Sequence, residues 1–142
     1  MTDLQVAREK TVRDHMALEN ALDWDAVIAT FQHPRYELYG AGTVFDGEAA
    51  VRRYFAQSRA TFPDQRNEII TLGFGGDSVF VEFWLMGTHL GEMRGPDGPV
   101  APTGKTFKVR MAATFEFAPG SDKIVCERPY FDARAISQQI LG

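Results

Sequence analysis

The stretch KTFKVRMAATFEF, residues 105–117, constrains the fold more than any other part of the chain. Phe107, Val109, Met111, Ala113, Phe115 and Phe117 alternate with Lys108, Arg110, Thr114 and Glu116. A period of two puts the apolar set on one face of an extended strand. Two more extended runs precede it: QRNEIITLGF, and VFVEFWLMGTHLGEM after the turn GGDS. A fourth, KIVCERPYF, follows the turn APGSD. Long strands joined by short turns make an antiparallel sheet. One face of that sheet must meet a core.

Helices grouped ahead of the strands supply the cover. Thr2 is placed to cap a helix reaching about Leu22. Its apolar stripe reads Leu4, Ala7, Thr11, His15, Leu18 and Leu22, with Val12 and Met16 beside it. Asp23 opens a second helix, WDAVIATFQ, which stops before Pro34. A short strand, RYELYGAG, leads to a third helix within FDGEAAVRRYFAQSRATFPD, burying Val51, Tyr54, Phe55, Ser58 and Phe62. Asp132 opens a last helix, ARAISQQIL. The expected architecture is α+β, one domain over residues 1–142. Glycines in LGFGG and MGTHLG supply bends for a curved sheet. A curved sheet wrapped around a helix leaves a cavity at its open end. The loop Arg94–Gly104, rich in Gly and Pro, is expected to be a flap at the mouth.

Composition removes several function classes. Fifteen basic and nineteen acidic residues, scattered along the chain, give a net charge of −4. Nucleic acid is not the expected partner, since phosphate binding needs a basic surface. No apolar run approaches the roughly 20 residues of a membrane span. MTDLQVAREKTVRDH lacks the apolar region of a signal peptide. One cysteine, Cys126, leaves no internal disulfide, so a reducing cytoplasm is the expected location. The three histidines lie on three elements without ligand spacing, and neither a metal nor another cofactor is expected.

The strings ATFPD, GTHLGE, PTGK and KIVCERPYFDARAISQQILG, in this order, resemble the SnoaL-like (polyketide cyclase-like) group of the nuclear transport factor 2 fold. The resemblance runs from the first helix to Gly142. It implies a cone-shaped, mostly antiparallel sheet wrapped around the N-terminal helices. It also implies a hydrophobic cavity for a small apolar ligand. This fold hosts cyclases, isomerases, epoxide hydrolases, dehydratases and binding domains, so it does not fix the reaction. The carboxylate of the ring-closing members falls on Pro129 here, and their histidine falls near Ala113. The base of ketosteroid isomerases falls at Leu38, beside Glu37, and their tyrosine falls at or near His15.

Three side chains remain as candidates for catalysis: His15, His89 and Glu127. His15 sits in the apolar stripe, where it is either a core histidine bonded to a carbonyl or a pocket group. His89 lies in the matched GTHxG string and is either a polar strand end or a cavity histidine paired with Glu127, Glu92 or Asp132. Glu127 shares parity with the Pro129 position and points inward with Phe131. The competing reading is a surface salt bridge to Arg110 or Arg128. Phe83, Leu85, Met111, Phe115, Phe131 and Tyr54 are expected to wall the cavity. The second long strand is apolar on both faces, so Trp84 and Met86 on its outer face point to a homodimer. Two functions of different class remain open. One is a cofactor-free cyclase, isomerase or dehydratase acting by acid–base chemistry on a cyclic or polyketide-like carbonyl compound. The other is a non-catalytic ligand-binding or dimerisation domain.

Overall fold

A computed structural model describes residues 1–142. Helix α1 spans Asp3–Asn20 and α2 Trp24–Ala29. Strands β1 (Arg35–Leu38) and β2 (Thr43–Asp46) precede α3 (Glu48–Thr61). Then come β3 (Arg66–Gly75), β4 (Ser78–Thr88), β5 (Met93–Gly95), β6 (Gly98–Val100), β7 (Thr106–Phe117), β8 (Ile124–Tyr130) and α4 (Ala133–Leu141).

Three of the four helix starts carry a side-chain cap. Thr2 Oγ1 accepts the Gln5 N–H while Gln5 Oε1 accepts the Thr2 N–H, a reciprocal cap. Asp23 and Asp132 cap α2 and α4 with their carboxylates. The six-stranded sheet has the order β2-β1-β8-β7-β4-β3. Every pair is antiparallel except β1 with β8. The alternation read in β7 holds: all six apolar residues of its odd set are buried. They join Val12 and Met16 of α1, Val51 and Phe55 of α3, and Val79, Val81 and Phe83 of β4 in one core cluster.

The stripe on α1 differs from the expected one. The buried residues are Arg8, Val12, His15 and Met16, while Leu22 is 45% exposed. The buried face is rotated by about one position. Arg8 occupies it because its guanidinium donates to the carbonyls of Ser121 (2.8 Å) and Ala118 (3.0 Å) and to Asp77 (3.0 Å). A buried charge that is fully paired is tolerated.

The loop Arg94–Gly104 is not featureless. β5 and β6 pair as a small hairpin, with Met93 packed against the core cluster.

One irregularity in β8 decides where Glu127 points. Phe117 pairs with Ile124 but Glu116 pairs with Cys126, so Val125 is an extra residue. Such a bulge reverses which parity faces inward. Ile124 points to the core before it, and Glu127 points there after it.

Candidate functional site

Strands and helices together aim side chains at one buried point. Tyr36 of β1 is in parallel register with Glu127 of β8, and Glu127 is in antiparallel register with Phe115 of β7. Paired residues share a face, so all three side chains point at α1. There His15 is wholly buried, edge-on to the rings of Phe31 (5.3 Å) and Phe115 (5.4 Å). Its Nε2 lies 2.7 Å from Glu127 Oε1 in hydrogen-bond geometry and 2.6 Å from Glu19 Oε1 one helical turn on. The Tyr36 hydroxyl is 3.2 Å from the same nitrogen and donates to Glu19 Oε1 at 3.3 Å.

The tautomer follows from Thr30. Its hydroxyl donates to the Val27 carbonyl at 2.6 Å, so its oxygen is left to accept. His15 Nδ1, 2.8 Å away, must therefore carry a proton. Nε2 then faces two carboxylates. Burial alone disfavours charge on the ring, but the negative Glu19 and the hydrogen bond to Glu127 outweigh it and raise the His15 pKa to about 9. Burial also works against ionisation of Glu19, yet the His15 charge beside it holds that carboxyl below its ordinary value. Glu127 is pushed the other way, first by burial and then by Glu19, to about 7. Near neutral pH the cluster is thus an imidazolium, an ionised Glu19 and a Glu127 that shares its proton with the medium it faces.

That medium is a cavity. Its inner part, about 50 Å³, is bounded by Met16, Glu19, Arg59, Phe83, Phe115 and Glu127 among others. Tyr54, Gln65, Leu85, Met111 and Pro129 line this part and also the outer part, about 140 Å³, which Leu38, Phe131 and Ile136 complete. The six residues expected on the wall, Tyr54, Phe83, Leu85, Met111, Phe115 and Phe131, all lie on it. Arg59 closes the polar end, 3.5 Å from Glu19 Oε2 and stacked 4.9 Å over Trp24.

The three candidate residues separate. Glu127 is 7% exposed and lines the cavity. The salt-bridge alternative fails, because Arg128 pairs with Glu37 (2.9 Å) and Glu116 (2.6 Å), and Arg110 pairs with Glu82. His15 lies behind Glu127 and Glu19 rather than on the cavity wall, so it sets their protonation without touching a ligand.

The expected convergence of His89 with the other two is not met. His89 Nδ1 accepts the Thr103 N–H at 3.2 Å, its ring leans on Phe62, and its Nε2 has no partner. Its backbone bonds to Lys105 and Gly104. Next to it, Asp64 accepts from the Thr88 N–H (2.7 Å) and hydroxyl (2.6 Å), and a Cβ on Gly91 would fall 1.7 Å from the Ala60 carbonyl oxygen. The FPD, GTHLG and PTG strings are therefore parts of one clasp that ties the end of α3 to β4 and the segment after it. The hairpin β5–β6 lies on the wall of a separate surface depression, with no residue on the cavity, so it is not a flap at that mouth.

Glu19, Tyr36, Thr30 and Arg59 do not stand out in the sequence as site residues. Only Glu19 carries a signal there, standing one turn after His15 on the buried face of α1.

The absence of histidine spacing does not exhaust the metal question, because donor atoms of His15, Glu19 and Glu127 lie within 4.8 Å of one another. Their spacing does not fit a cation well. Two ligands at about 2.1 Å from a tetrahedral ion stand about 3.4 Å apart. Here Nε2 is 2.6 and 2.7 Å from the two oxygens, the separation of groups sharing protons, and Arg59 adds positive charge beside them.

No helix is long and apolar enough to cross a membrane. No curated protein sequence matches the chain significantly. Three solved structures show the same fold. A proposed SnoaL-like polyketide cyclase from Jannaschia sp. CCS1 superposes with a TM-score of 0.84 at 20% identity, over 99% of this chain and 95% of that one. IdmH from Streptomyces antibioticus, a proposed polyketide cyclase, gives 0.76 at 22% identity, over 93% and 96%. A protein from Catenulispora acidiphila DSM 44928 with a ketosteroid isomerase-like fold gives 0.75 at 18% identity, over 92% and 91%. The family model described as SnoaL-like domain matches residues 12–127, from the buried face of α1 to Glu127 itself, and the chain belongs to that family.

Proposed function

We propose that the protein is a small acid–base enzyme that needs no cofactor and acts on an apolar, carbonyl-bearing ring compound of the polyketide kind. The single observation that carries this reading is Glu127: a buried carboxyl on the wall of an apolar cavity, 2.7 Å from His15 Nε2 and close to Glu19, where burial and that second carboxylate raise its pKa. Two carboxyls whose environments drive their pKa values apart are the signature of divided acid and base roles. A base titrating near the working pH is also the most effective one.

In this reaction the Glu127 carboxylate takes a proton from the carbon next to the ligand carbonyl. The electron pair moves to the carbonyl oxygen, where Arg59 supplies positive potential. Protonated Glu127 then returns the proton to carbon, giving an isomer, or the enolate carbon attacks a second carbonyl, whose oxygen takes the electron pair and the proton from Glu127, giving a ring. His15 does not meet the ligand. It holds Glu127 in place and sets its pKa. Pro129, where ring-closing members carry their carboxylate, lies on the same wall two residues on. Glu127 is the carboxylate that can act in its stead. Kinship with proposed cyclases of the same fold supports the class of ligand.

The test needs no natural substrate. β-Tetralone is an apolar bicyclic ketone with acidic α-hydrogens. Its hydrogen–deuterium exchange in D₂O, followed by NMR, should be accelerated by the protein. Glu127→Gln should reduce that acceleration on the order of 10²-fold or more, the usual worth of a general base, with tetralone still bound. Equal rates for both proteins would favour the non-catalytic ligand-binding domain.

A second copy of the chain is the expected partner. Phe80, 46% exposed, shares the outer sheet face with Trp84 and Met86. The one thiol, Cys126, is buried and pushed up to about 12 by that burial, in keeping with a cytoplasmic protein.

A further inference from the structure

Two polar groups on the cavity wall have nothing in the protein to bond. The Tyr54 hydroxyl makes no hydrogen bond, and its pKa is raised by burial and by the charges of Glu127 and Glu19, with no hydrogen-bonding partner contributing. The Gln65 carboxamide is likewise uncommitted, although its backbone N–H is held by Phe62. The only buried side-chain atoms left without a partner are Arg59 Nε and His89 Nε2. The Tyr54 and Gln65 polar atoms are therefore not sealed in the protein, and both residues lie on the lumen wall.

Their position is specific. Both residues line the inner and the outer parts of the cavity, at the seam between them. The other residues at that seam are Leu85, Met111 and Pro129, which offer no polar side chain to a ligand. Inward lie the charged and polar Glu19, Glu127, Arg59, Arg66 and Asn67 between apolar walls, and outward lie only Leu38, Phe131 and Ile136. All the charged groups therefore lie at the inner end, the Tyr54–Gln65 pair is the outermost polar feature, and the cavity beyond it is apolar.

We infer that Tyr54 and Gln65 form a subsite for a second oxygen on the ligand. The substrate class narrows to rings that carry a hydroxyl or carbonyl roughly one ring away from the reacting carbonyl, with an apolar extension beyond it. A hydroxyl suits the pair best. The carboxamide can accept its proton while the phenol donates to its oxygen. An apolar ligand seated there would strip water from both groups and leave them unpaired, which is a penalty against the wrong ligand as much as a gain for the right one.

The inference rests on the cavity being the ligand site, and the experiment separates the two. Dissociation constants are measured by titration calorimetry for 6-hydroxy-2-tetralone and 6-methyl-2-tetralone. The ligands match in shape and differ at the distal group. The readout is the ratio of the two constants, so differences in solubility and general binding cancel between proteins. Tyr54→Phe combined with Gln65→Leu should shift that ratio on the order of tenfold against the hydroxy compound, with the methyl compound bound at least as well as by the unaltered protein. Glu127→Gln should leave the ratio where it was. An unchanged ratio in the Tyr54/Gln65 variant overturns the inference and leaves the catalytic reading standing. So does a ratio that collapses in Glu127→Gln instead, because the distal oxygen would then be read at the charged end. If neither tetralone binds the unaltered protein, both readings fall.

Discussion

Glu127→Gln should change how stability depends on pH, and the sign can be worked from the cluster. In the unfolded chain Glu127 titrates near 4.5, and in the folded protein near 7. Below 4.5 it is protonated in both states and costs nothing. Between 4.5 and 7 the unfolded chain has released a proton that the folded protein keeps, so folding weakens as pH rises. Above 7 the loss is complete. At 1.36 kcal/mol per pKa unit it amounts to about 3 kcal/mol. His15 adds a second limb of the same sign. Its pKa rises from 6.5 unfolded to about 9 folded, so its stabilising charge is fully present below 6.5 and gone above 9. Urea melts of the unaltered protein should therefore show stability falling from pH 5 to pH 9. Glutamine cannot ionise, so Glu127→Gln should erase the limb between 4.5 and 7 and keep the one due to His15 beside Glu19. It should shorten that second limb on the alkaline side, because Glu127 also helps to raise the His15 pKa. The variant should gain about 3 kcal/mol on the unaltered protein between pH 4.5 and pH 8. A difference between the two proteins that stays constant over this range would mean that Glu127 titrates like a surface carboxyl, and the acid–base reading would lose its basis.

Arg8→Met keeps the apolar stem on the α1 face but removes the donors to Ser121, Ala118 and Asp77, and should lower stability by about 2 kcal/mol in urea melts, with less than about 0.5 kcal/mol counting against the pairing. Light scattering should give twice the 15.9 kDa chain mass at micromolar concentration, and Phe80→Asp on the outer sheet face should halve it; a monomer in the unaltered protein would refute the dimer.

The sheet is legible because β7 alternates with only Ala112 out of pattern, and because its turns and those of β8 carry Gly, Pro, Ser and Asp. The cavity wall was legible for the same reason: residues of one parity on β4 and β7 share a face. Legibility stopped where the geometry is not periodic. The bulge at Val125 switches parity within β8, so Ile124 faces the core although only the odd positions were expected to face inward. Glu19 has no mark in the sequence beyond its place one turn after His15. It becomes a site residue only when β8 brings Glu127 over α1 and α3 brings Arg59 beside it. β2 and the hairpin β5–β6 were missed because strands of three or four residues have too few repeats to show a period.

His89 is the sharpest case of a residue whose string suggested a site and whose surroundings give it a structural task. Its Nδ1 is an acceptor, fixed by the Thr103 N–H, so the neutral ring carries its proton on Nε2, where nothing meets it. A buried unpaired donor costs about 1–3 kcal/mol. The clasp tolerates that cost because the ring also packs on Phe62 and its backbone holds Lys105 and Gly104. His89→Asn can keep an acceptor for the Thr103 N–H and discards the unpaired donor, while losing the ring contact with Phe62. The two effects oppose each other, so stability should move by no more than about 1 kcal/mol. His89→Leu leaves the Thr103 N–H without an acceptor and should cost about 2 kcal/mol. Neither change reaches Glu127, Glu19 or the wall of the cavity. Tetralone exchange by both variants should therefore stay within about threefold of the unaltered protein wherever they are folded, a range of well under 1 kcal/mol in activation free energy. A folded His89→Asn protein that had lost exchange activity by about a hundredfold would show that His89 works in the chemistry, and the division of labour between clasp and cavity would be wrong.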